Sequence, residues 1–170
     1  MKMDVTAMSR LERVGGNIPA RSRAVFRKVA GLRLRELWLL VSSAALLVAL
    51  PILQRVLTLP TLVSFFGAKT MPTVLPPLDP ERLLFLIRGL LHQQIGMIRP
   101  NCMKQSLLLF HFLRQWDAPV TIHFGAATRD GALEGHCWVE LAGQPFGEKD
   151  DPQRAFTVTY AFPEDTIHLK

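Results

Sequence analysis

A cysteine stands at the start of a predicted helix, in the stretch "RPNCMKQSLLLFHFL" that runs from Arg99 to Leu113. Cys102 follows Pro100 and Asn101, and apolar residues then recur at helical spacing. A thiol must lose its proton to attack a carbonyl, and the unpaired N–H groups of a helix's first turn favour that negative charge. The same groups can hold the oxyanion that the attack creates. Cys102 is therefore a candidate nucleophile, and a small buried core residue is the alternative interpretation.

A histidine that could act as the base opens a predicted strand further along the chain. His136 begins "HCWVEL", and the dipeptide Ala142-Gly143 after it predicts a two-residue turn. In such a hairpin Leu141 pairs with Gln144 and Cys137 with Glu148. Glu148 then lies diagonally beside His136, within reach of its ring.

Cys102, His136 and Glu148 would supply a nucleophile, a base and an orienting acid in that order. Asp150 and Asp151 remain rivals for the role of the acid, because spacing alone does not exclude them. Their predicted loop position is more typical of solvated carboxylates.

Zinc is the competing use of these residue types. Cys102, Cys137, His136 and His123 are all metal-ligating residues. However, His136 and Cys137 are neighbours on one strand and point to opposite faces, so one ion cannot easily use both. We expect neither a metal nor a cofactor.

The elements that must position these residues are two helices followed by strands. Asp79 is a good N-cap and Pro80 fits the first helical position, and the apolar spacing predicts a helix to about Ile98. The helix of Cys102 should end at residues 115–117, before Pro119. Alternation of apolar and polar residues predicts strands over 120–127, 136–141, 144–148 and 156–162, with loops at 128–135 and 149–154. Helices followed by an antiparallel meander indicate an α+β fold.

The first 78 residues differ in composition from the rest. Residues 1–36 carry nine Lys or Arg and three acids, which accounts for the whole net charge of +6. Residues 1–30 are predicted to be a basic, poorly ordered arm. Residues 31–78 should form an apolar helical segment, one helix over 32–57 or two broken near Pro51, and then an extended proline-rich connector over 59–78. The catalytic domain should occupy residues 79–170.

The uncharged run over residues 37–54 is at the lower limit of what can cross a bilayer. A soluble core or interface helix, a membrane-attached or spanning helix and a cleaved signal all remain open for it. Two cysteines do not make a disulfide framework, so a reducing cytoplasm is expected, with membrane association through residues 37–54 as an addition. The arm has almost no aromatic residues and matches no nucleic-acid motif, so no nucleic-acid partner is expected.

The stretches "NCMKQSLLLFHFLRQWDAPVTIHFGA", "GHCWVELAGQPFGE" and "FTVTYAFP" together resemble the transglutaminase-like cysteine peptidases of lasso-peptide biosynthesis, the leader-cleaving subunits of that pathway. The resemblance implies a transglutaminase-like, papain-like core in which the helix of Cys102 packs on a small antiparallel sheet. Three positions depart from the family pattern. Cys137 replaces an alanine, Glu148 replaces an aspartate, and His123 replaces an aliphatic residue or glycine.

The resemblance implies removal of the leader from a ribosomally made lasso-peptide precursor, through an acyl-enzyme. Cys102 would attack, His136 would take its proton and later protonate the leaving amine, and Glu148 would hold the ring. The implied partners are the precursor peptide, a separate leader-recognition protein and an ATP-dependent macrolactam synthetase, the cyclase. Two alternatives remain open: a non-catalytic peptide-binding or membrane-docked relative of the fold, and another acyl transfer that uses the same triad.

Overall fold

The computed structural model describes residues 33–69, 77–92 and 101–163. The elements, in chain order, are α1 (Leu34–Val56), α2 (Leu59–Gly67), α3 (Pro80–His92), α4 (Cys102–Gln115), β1 (Val120–Arg129), β2 (Ala132–Leu141), β3 (Gln144–Phe146), a 3₁₀ turn (Pro152–Arg154) and β4 (Thr157–Phe162). The chain forms two compact units, Met1–Leu37 and Trp38–Lys170. In the first, the described residues 33–37 begin α1, and the Arg33 backbone N–H donates to the Glu36 carboxylate at 3.0 Å.

The second unit contains a four-stranded antiparallel sheet in the order β3-β2-β1-β4. The first three strands are consecutive hairpins, and the fourth returns to lie beside β1, which is the Greek key arrangement. The predicted meander is therefore wrong for β4. Phe162 of β4 contacts Phe110 of α4, with ring centroids 6.0 Å apart. This burial of the end of β4 against the helix favours a position for β4 beside β1, at the edge opposite β3.

Two tight turns set the register of the sheet. Ala142 and Gly143 both have positive φ, 51° and 75°, and Leu141 pairs with Gln144, which confirms the predicted turn. The predicted pairing of Cys137 with Glu148 is wrong, because β3 ends at Phe146, opposite Val139. The predicted loop over 128–135 is wrong. Asp130 and Gly131 form a second two-residue turn, with φ of 50° and 79°, and the flanking residues belong to β1 and β2.

The core lies between α4 and one face of the sheet. Gly67, at the end of α2, shows how closely the layers approach: a Cβ there would lie 3.0 Å from the rings of both Phe110 and Phe162. The side chains that are under 2% exposed include Leu107, Leu108, Phe110 and Phe112 of α4, Leu83 and Ile87 of α3, and Trp138 of β2. Burial on this scale is the main stabilising contribution to a domain of this size.

The extended connector predicted over 59–78 is partly wrong, because residues 59–67 form helix α2. Pro60 lies in the first turn, where its missing N–H is not needed, and Leu62, Val63 and Phe66 are buried. Two side chains of α4 bind the end of α2. The ring of His111 contacts the Phe66 carbonyl at 2.8 Å, and Gln115 donates to the Ala68 carbonyl at 2.8 Å.

Helix α1 is continuous through Pro51, so the possible break into two helices does not occur. Proline costs the helix one backbone hydrogen bond, but Leu47 and Leu50 pack on the domain just before it. Gln54 contacts Met103, and Trp38 contacts Phe112, so α1 runs antiparallel along α4.

Helix α1 is also the one helix of the described residues whose length and composition would allow it to cross a membrane. An 18-residue window in it has a mean hydropathy of 2.1, and 28% of that window is buried. Core helices and signal sequences share these properties, so the helix alone does not fix the location of the protein.

Other predictions fall partly outside the described residues. The arm over residues 1–30, residues 70–76 of the connector and the end of the helix predicted to reach Ile98 all lie there. The start of that last helix is described: α3 begins at Pro80, and the Asp79 carboxylate accepts the Arg82 backbone N–H at 3.1 Å.

Candidate active site

Cys102 is the first residue of α4, as the sequence predicted. Asn101 has extended backbone angles and its side chain accepts the Lys104 N–H at 2.8 Å, which makes it the N-cap. The cap occupies the third N–H of the helix, so the N–H groups of Cys102 and Met103 remain without a helical partner. The thiol, which is half-buried, therefore lies at the positive end of the helix dipole.

The structure places Glu148 against His136. Nε2 of His136 lies 3.3 Å from Oε2 of Glu148, and the two side chains are 23% and 21% exposed. Gly147, with φ of 74°, ends β3 and turns the chain so that Glu148 leaves the strand beside the ring. An ionised carboxylate only accepts hydrogen bonds, so this contact favours the tautomer with the proton on Nε2 and leaves Nδ1 unprotonated.

The two rival acids do not occupy that position. Asp150 is exposed. Asp151 caps the 3₁₀ turn, where its carboxylate accepts the Gln153 N–H at 3.0 Å.

Contacts of Cys137 show how α4 meets the strand of His136. The Ser106 hydroxyl donates to the Cys137 carbonyl at 2.9 Å. Cys102 is one helical turn before Ser106 and lies on the same face of α4. Burial raises the pKa of the Cys137 thiol far above its usual range, the Ser106 hydroxyl lowers it, and charges at Cys102 and Glu148 raise it further. The candidate nucleophile and the candidate acid thus both lie near the residue that follows His136.

The same facts exclude Cys137 as the nucleophile. Its side chain is 3% exposed, and the raised pKa keeps the thiol protonated. Among the residues that the structure describes, no group of three or more His, Cys, Asp or Glu could hold a metal ion.

Two aromatic rings stack on the imidazole of His136. Trp138 stacks on it at 5.9 Å between centroids, and Phe156 stacks on it at 5.1 Å. Gly125 is the cross-strand neighbour of His136, and a Cβ there would lie 2.9 Å from both aromatic side chains. Only glycine at this position leaves room for the two rings. Sequence spacing identified neither Phe156 nor Gly125 as part of this site.

A buried carboxylate lies behind the rings. Glu140 accepts from Trp138 Nε1 at 3.4 Å and from the Gln153 side chain at 2.6 Å. Nε2 of His123, a ring that also stacks on Trp138, lies 3.4 Å from Glu140. Burial lowers the pKa of His123, although the Glu140 carboxylate opposes this. Because Gln153 follows Glu148 in the same loop, Glu140 helps to fix the segment that carries the acid.

Arg88 of α3 links the two halves of the site. Its Nε donates to the Gln105 side chain on α4 at 3.4 Å, and its Nη2 donates to the Gly147 carbonyl, next to Glu148. The guanidinium therefore bridges the helix of Cys102 and the turn that carries the acid, as its forked geometry allows. Nothing in the spacing of the sequence identified Arg88, because its partners are distant along the chain.

The comparisons with known proteins agree with this architecture. The family model of the Transglutaminase-like superfamily matches residues 46–161, which is more than half of the chain. No curated protein and no solved structure matches. The matched region begins within α1 and ends in β4. It therefore includes α4, β1, β2 and the loop of Glu148, which form the site. The chain therefore belongs to the Transglutaminase-like superfamily, which includes cysteine peptidases and enzymes of the acyltransferase type.

Proposed function

We propose that the protein is a cysteine peptidase that removes the leader from a ribosomally made lasso-peptide precursor. The contact of 3.3 Å between His136 and Glu148 carries the proposal, because it gives the histidine an orienting acid. The choice of substrate is supported by the resemblance of the Cys102, His136 and β4 stretches to the leader peptidases of that pathway.

In the proposed reaction Nδ1 of His136 takes the proton of the Cys102 thiol, and the sulfur attacks the carbonyl of the scissile peptide bond. The tetrahedral oxyanion is stabilised by the free N–H groups at the start of α4. His136 then protonates the leaving amine, which departs, and the acyl group remains on sulfur. Water, deprotonated by His136, releases the leader as a carboxylic acid and restores the thiol. Glu148 keeps the ring in the productive tautomer throughout.

The proposed partners follow from this role. They are the precursor peptide, a separate leader-recognition protein and an ATP-dependent macrolactam synthetase that consumes the freed amine. Among the described residues, all four strands belong to the sheet that carries the site and none forms a separate β-rich recognition domain, which supports the use of a separate protein for leader recognition. We place the reaction in the cytoplasm, where a thiol stays reduced.

Cleavage of the precursor by purified protein tests the proposal. The precursor and the leader-recognition protein are incubated with wild-type protein or with Cys102→Ala, and the products are weighed by mass spectrometry. We expect the variant to lose about 10³-fold or more of the rate, because removal of the nucleophile leaves only binding and the oxyanion site. A wild-type product that carries an added amine in place of water would identify the other acyl transfer. Absence of cleavage with binding retained would identify a non-catalytic relative.

Glu148→Gln and Asp150→Asn form the matched pair for the acid. Glu148→Gln should reduce kcat at least about tenfold, because the amide can also present a donor to the ring and no longer fixes its tautomer. Asp150 is exposed, so Asp150→Asn should stay within about twofold of wild type. A larger loss of kcat in Asp150→Asn than in Glu148→Gln would assign the orienting role to Asp150.

A further inference from the structure

Strand β2 has an unpaired edge beside His136. Strand β1 pairs with all of β2, from Ala132 to Leu141, but β3 pairs only with its last three residues. Among the described residues, no strand covers the β3 side of β2 from Ala132 to Trp138. Residues 132–135 of this edge are exposed.

The two hairpin turns determine which backbone groups face that edge. The pair that closes a two-residue turn exchanges both backbone hydrogen bonds. Ala132 closes the turn with β1, and Leu141 closes the turn with β3. Along a strand, successive residues direct their backbone N–H and C=O groups to opposite edges. Counting from either turn therefore gives the same assignment: Leu133, Gly135 and Cys137 direct these groups towards the β3 side.

The bond from Ser106 supports this assignment independently. Its hydroxyl reaches the Cys137 carbonyl at 2.9 Å, which requires that carbonyl to face outwards from the β1–β2 pair. The helix of Cys102 therefore meets the edge at Cys137. The next outward-facing residue along the edge is Gly135, which is exposed and immediately precedes His136.

We propose that the substrate peptide binds in an extended conformation along this edge, with its backbone hydrogen-bonded to Gly135. The proposal rests on the proposed function and names the form of its substrate: an extended peptide segment, recognised through its main chain. A strand added here would lie between His136 and the first turn of α4, so its carbonyl would be held in reach of Cys102. Main-chain bonds give affinity with little dependence on side chains. Sequence selection is then the task of the separate leader-recognition protein.

The length of the edge favours a peptide over a second copy of the chain. Only Leu133 and Gly135 offer outward groups before α4 closes the edge at Cys137. Two copies of the chain could form few backbone hydrogen bonds along such a short stretch. A substrate peptide needs few of them, because the catalytic groups lie at the end of the stretch.

Alkylation of Cys102 in the full chain measures this binding without a natural substrate. The probes are acetyl-Ala-Ala-Ala chloromethyl ketone, three versions of it that each carry one N-methyl group on a different alanine, and chloroacetamide. In every case the thiolate forms a bond to carbon and chloride leaves, while the thiol proton passes to His136 and on to water. Mass mapping confirms that Cys102, and not the buried Cys137, is modified.

We expect the unmethylated peptide to react faster than chloroacetamide. N-methylation should slow the peptide by about threefold to tenfold for each backbone bond lost, and only at alternate alanines, because every second N–H of a strand faces its neighbour. Equal rates for the peptide and chloroacetamide, or slowing at consecutive alanines or at none, would overturn the proposal.

Gly135→Pro removes the outward N–H and leaves the ladder with β1 intact. The nearest heavy atom outside the chain neighbours to a Cβ at this position is the Gly125 oxygen at 3.9 Å, so a Cβ makes only ordinary van der Waals contact. The variant should lose the advantage of the peptide probe, so that its rate with the peptide falls towards its own rate with chloroacetamide. If both rates fall together, the variant has disturbed folding, and the N-methyl series on the wild-type chain decides. A concentration-dependent dimer that Gly135→Pro abolishes would overturn the peptide in favour of a second copy. If the N-methyl pattern holds but the lasso precursor is not cleaved, the proposed function fails and the peptide edge stands.

Discussion

At the scale of single residues, the environment of His136 explains how a glutamate can stand where an aspartate was expected. A glutamate is longer by one methylene, so its backbone must lie further from the ring. The positive φ of Gly147 ends β3 one residue before Glu148 and moves it out of the strand. Contact with the ring is retained at 3.3 Å. Rotation of the ring is limited by Trp138 and Phe156, which stack on it.

His123 makes the stability of the protein depend on pH. Burial lowers its pKa below the ordinary 6.5, although the Glu140 carboxylate, 3.4 Å from Nε2, opposes the shift. Below about pH 6.5 the unfolded chain therefore binds more protons than the folded chain, and stability falls as the pH is lowered towards the folded pKa.

His123→Phe should reduce this dependence. The phenyl ring can still stack on Trp138 but cannot bind a proton, so the fall in melting temperature between pH 7.5 and pH 5.5 should be smaller than in wild type. Burial also lowers the pKa of His111, so this residue should still cause part of the fall in melting temperature. Calorimetry can resolve the difference, since about 1 kcal/mol corresponds to about 2–4 °C in a chain of this size. The exposed His92 provides the control: His92→Gln should behave as wild type, and an unchanged fall in His123→Phe would refute the assignment.

At the scale of elements, the site is assembled by a helix end, a strand and a loop that distant residues hold together. Arg88 bridges α4 and the Gly147 carbonyl, and Glu140 binds the same loop through Gln153. These bonds fix the distance between the elements that carry Cys102 and Glu148. Even a small displacement of the reacting groups lowers the reaction rate strongly.

Replacement of Arg88 should therefore affect turnover more than stability. We expect Arg88→Met to lower kcat for precursor cleavage about tenfold, with KM and melting temperature close to wild type, because the bridge positions groups and does not contact the peptide edge. Arg88→Lys should lie between the two, since an ammonium cannot reproduce the forked bridge. Arg82→Met, on the same helix but beside Phe85, is the control and should leave kcat unchanged. A parallel loss of kcat and melting temperature in Arg88→Met would reduce its role to folding.

At the scale of the whole molecule, α1 presents two apolar faces. Leu39, Ser43, Leu47 and Leu50 are buried, whereas Trp38, Val41, Val48, Ile52 and Val56 are 47–76% exposed. The exposed residues recur at intervals of three, four or seven, which places them on one stripe. A helix with one face on its own domain and the other exposed fits a position in the plane of a membrane surface better than a span.

We expect the exposed stripe to bind anionic lipid. The excess of basic residues over 1–36 would add electrostatic attraction, about 1 kcal/mol for each residue near the surface. The full chain should sediment with vesicles that contain phosphatidylglycerol, less so at high salt, and weakly with pure phosphatidylcholine. Val41→Ser combined with Val48→Ser and Ile52→Ser should weaken binding at least about tenfold through lost apolar contact.

Phe65→Ser with Phe85→Ser removes other exposed apolar side chains and controls for general hydrophobicity. Equal binding by both sets of variants would exclude the stripe as the lipid contact.

Much of the site could be predicted because its signals are local. The apolar spacing of α4 placed Cys102 at a helix start, and the Ala142-Gly143 turn predicted the hairpin whose second strand leads to Glu148. The missed hairpin turn at Asp130-Gly131 was also visible, since this dipeptide is a strong turn signal. Turns and periodicity act over a few residues, and so a short stretch of sequence is enough to determine them.

Tertiary structure alone decided which surfaces meet. It placed β4 beside β1, kept α1 continuous past Pro51 and folded residues 59–67 as a helix. It also brought Phe156, Arg88 and Gln153 to the site. The physical reason is that burial of apolar surface has no direction along the chain: many pairings satisfy the local patterns, and only the packing of the complete domain selects among them.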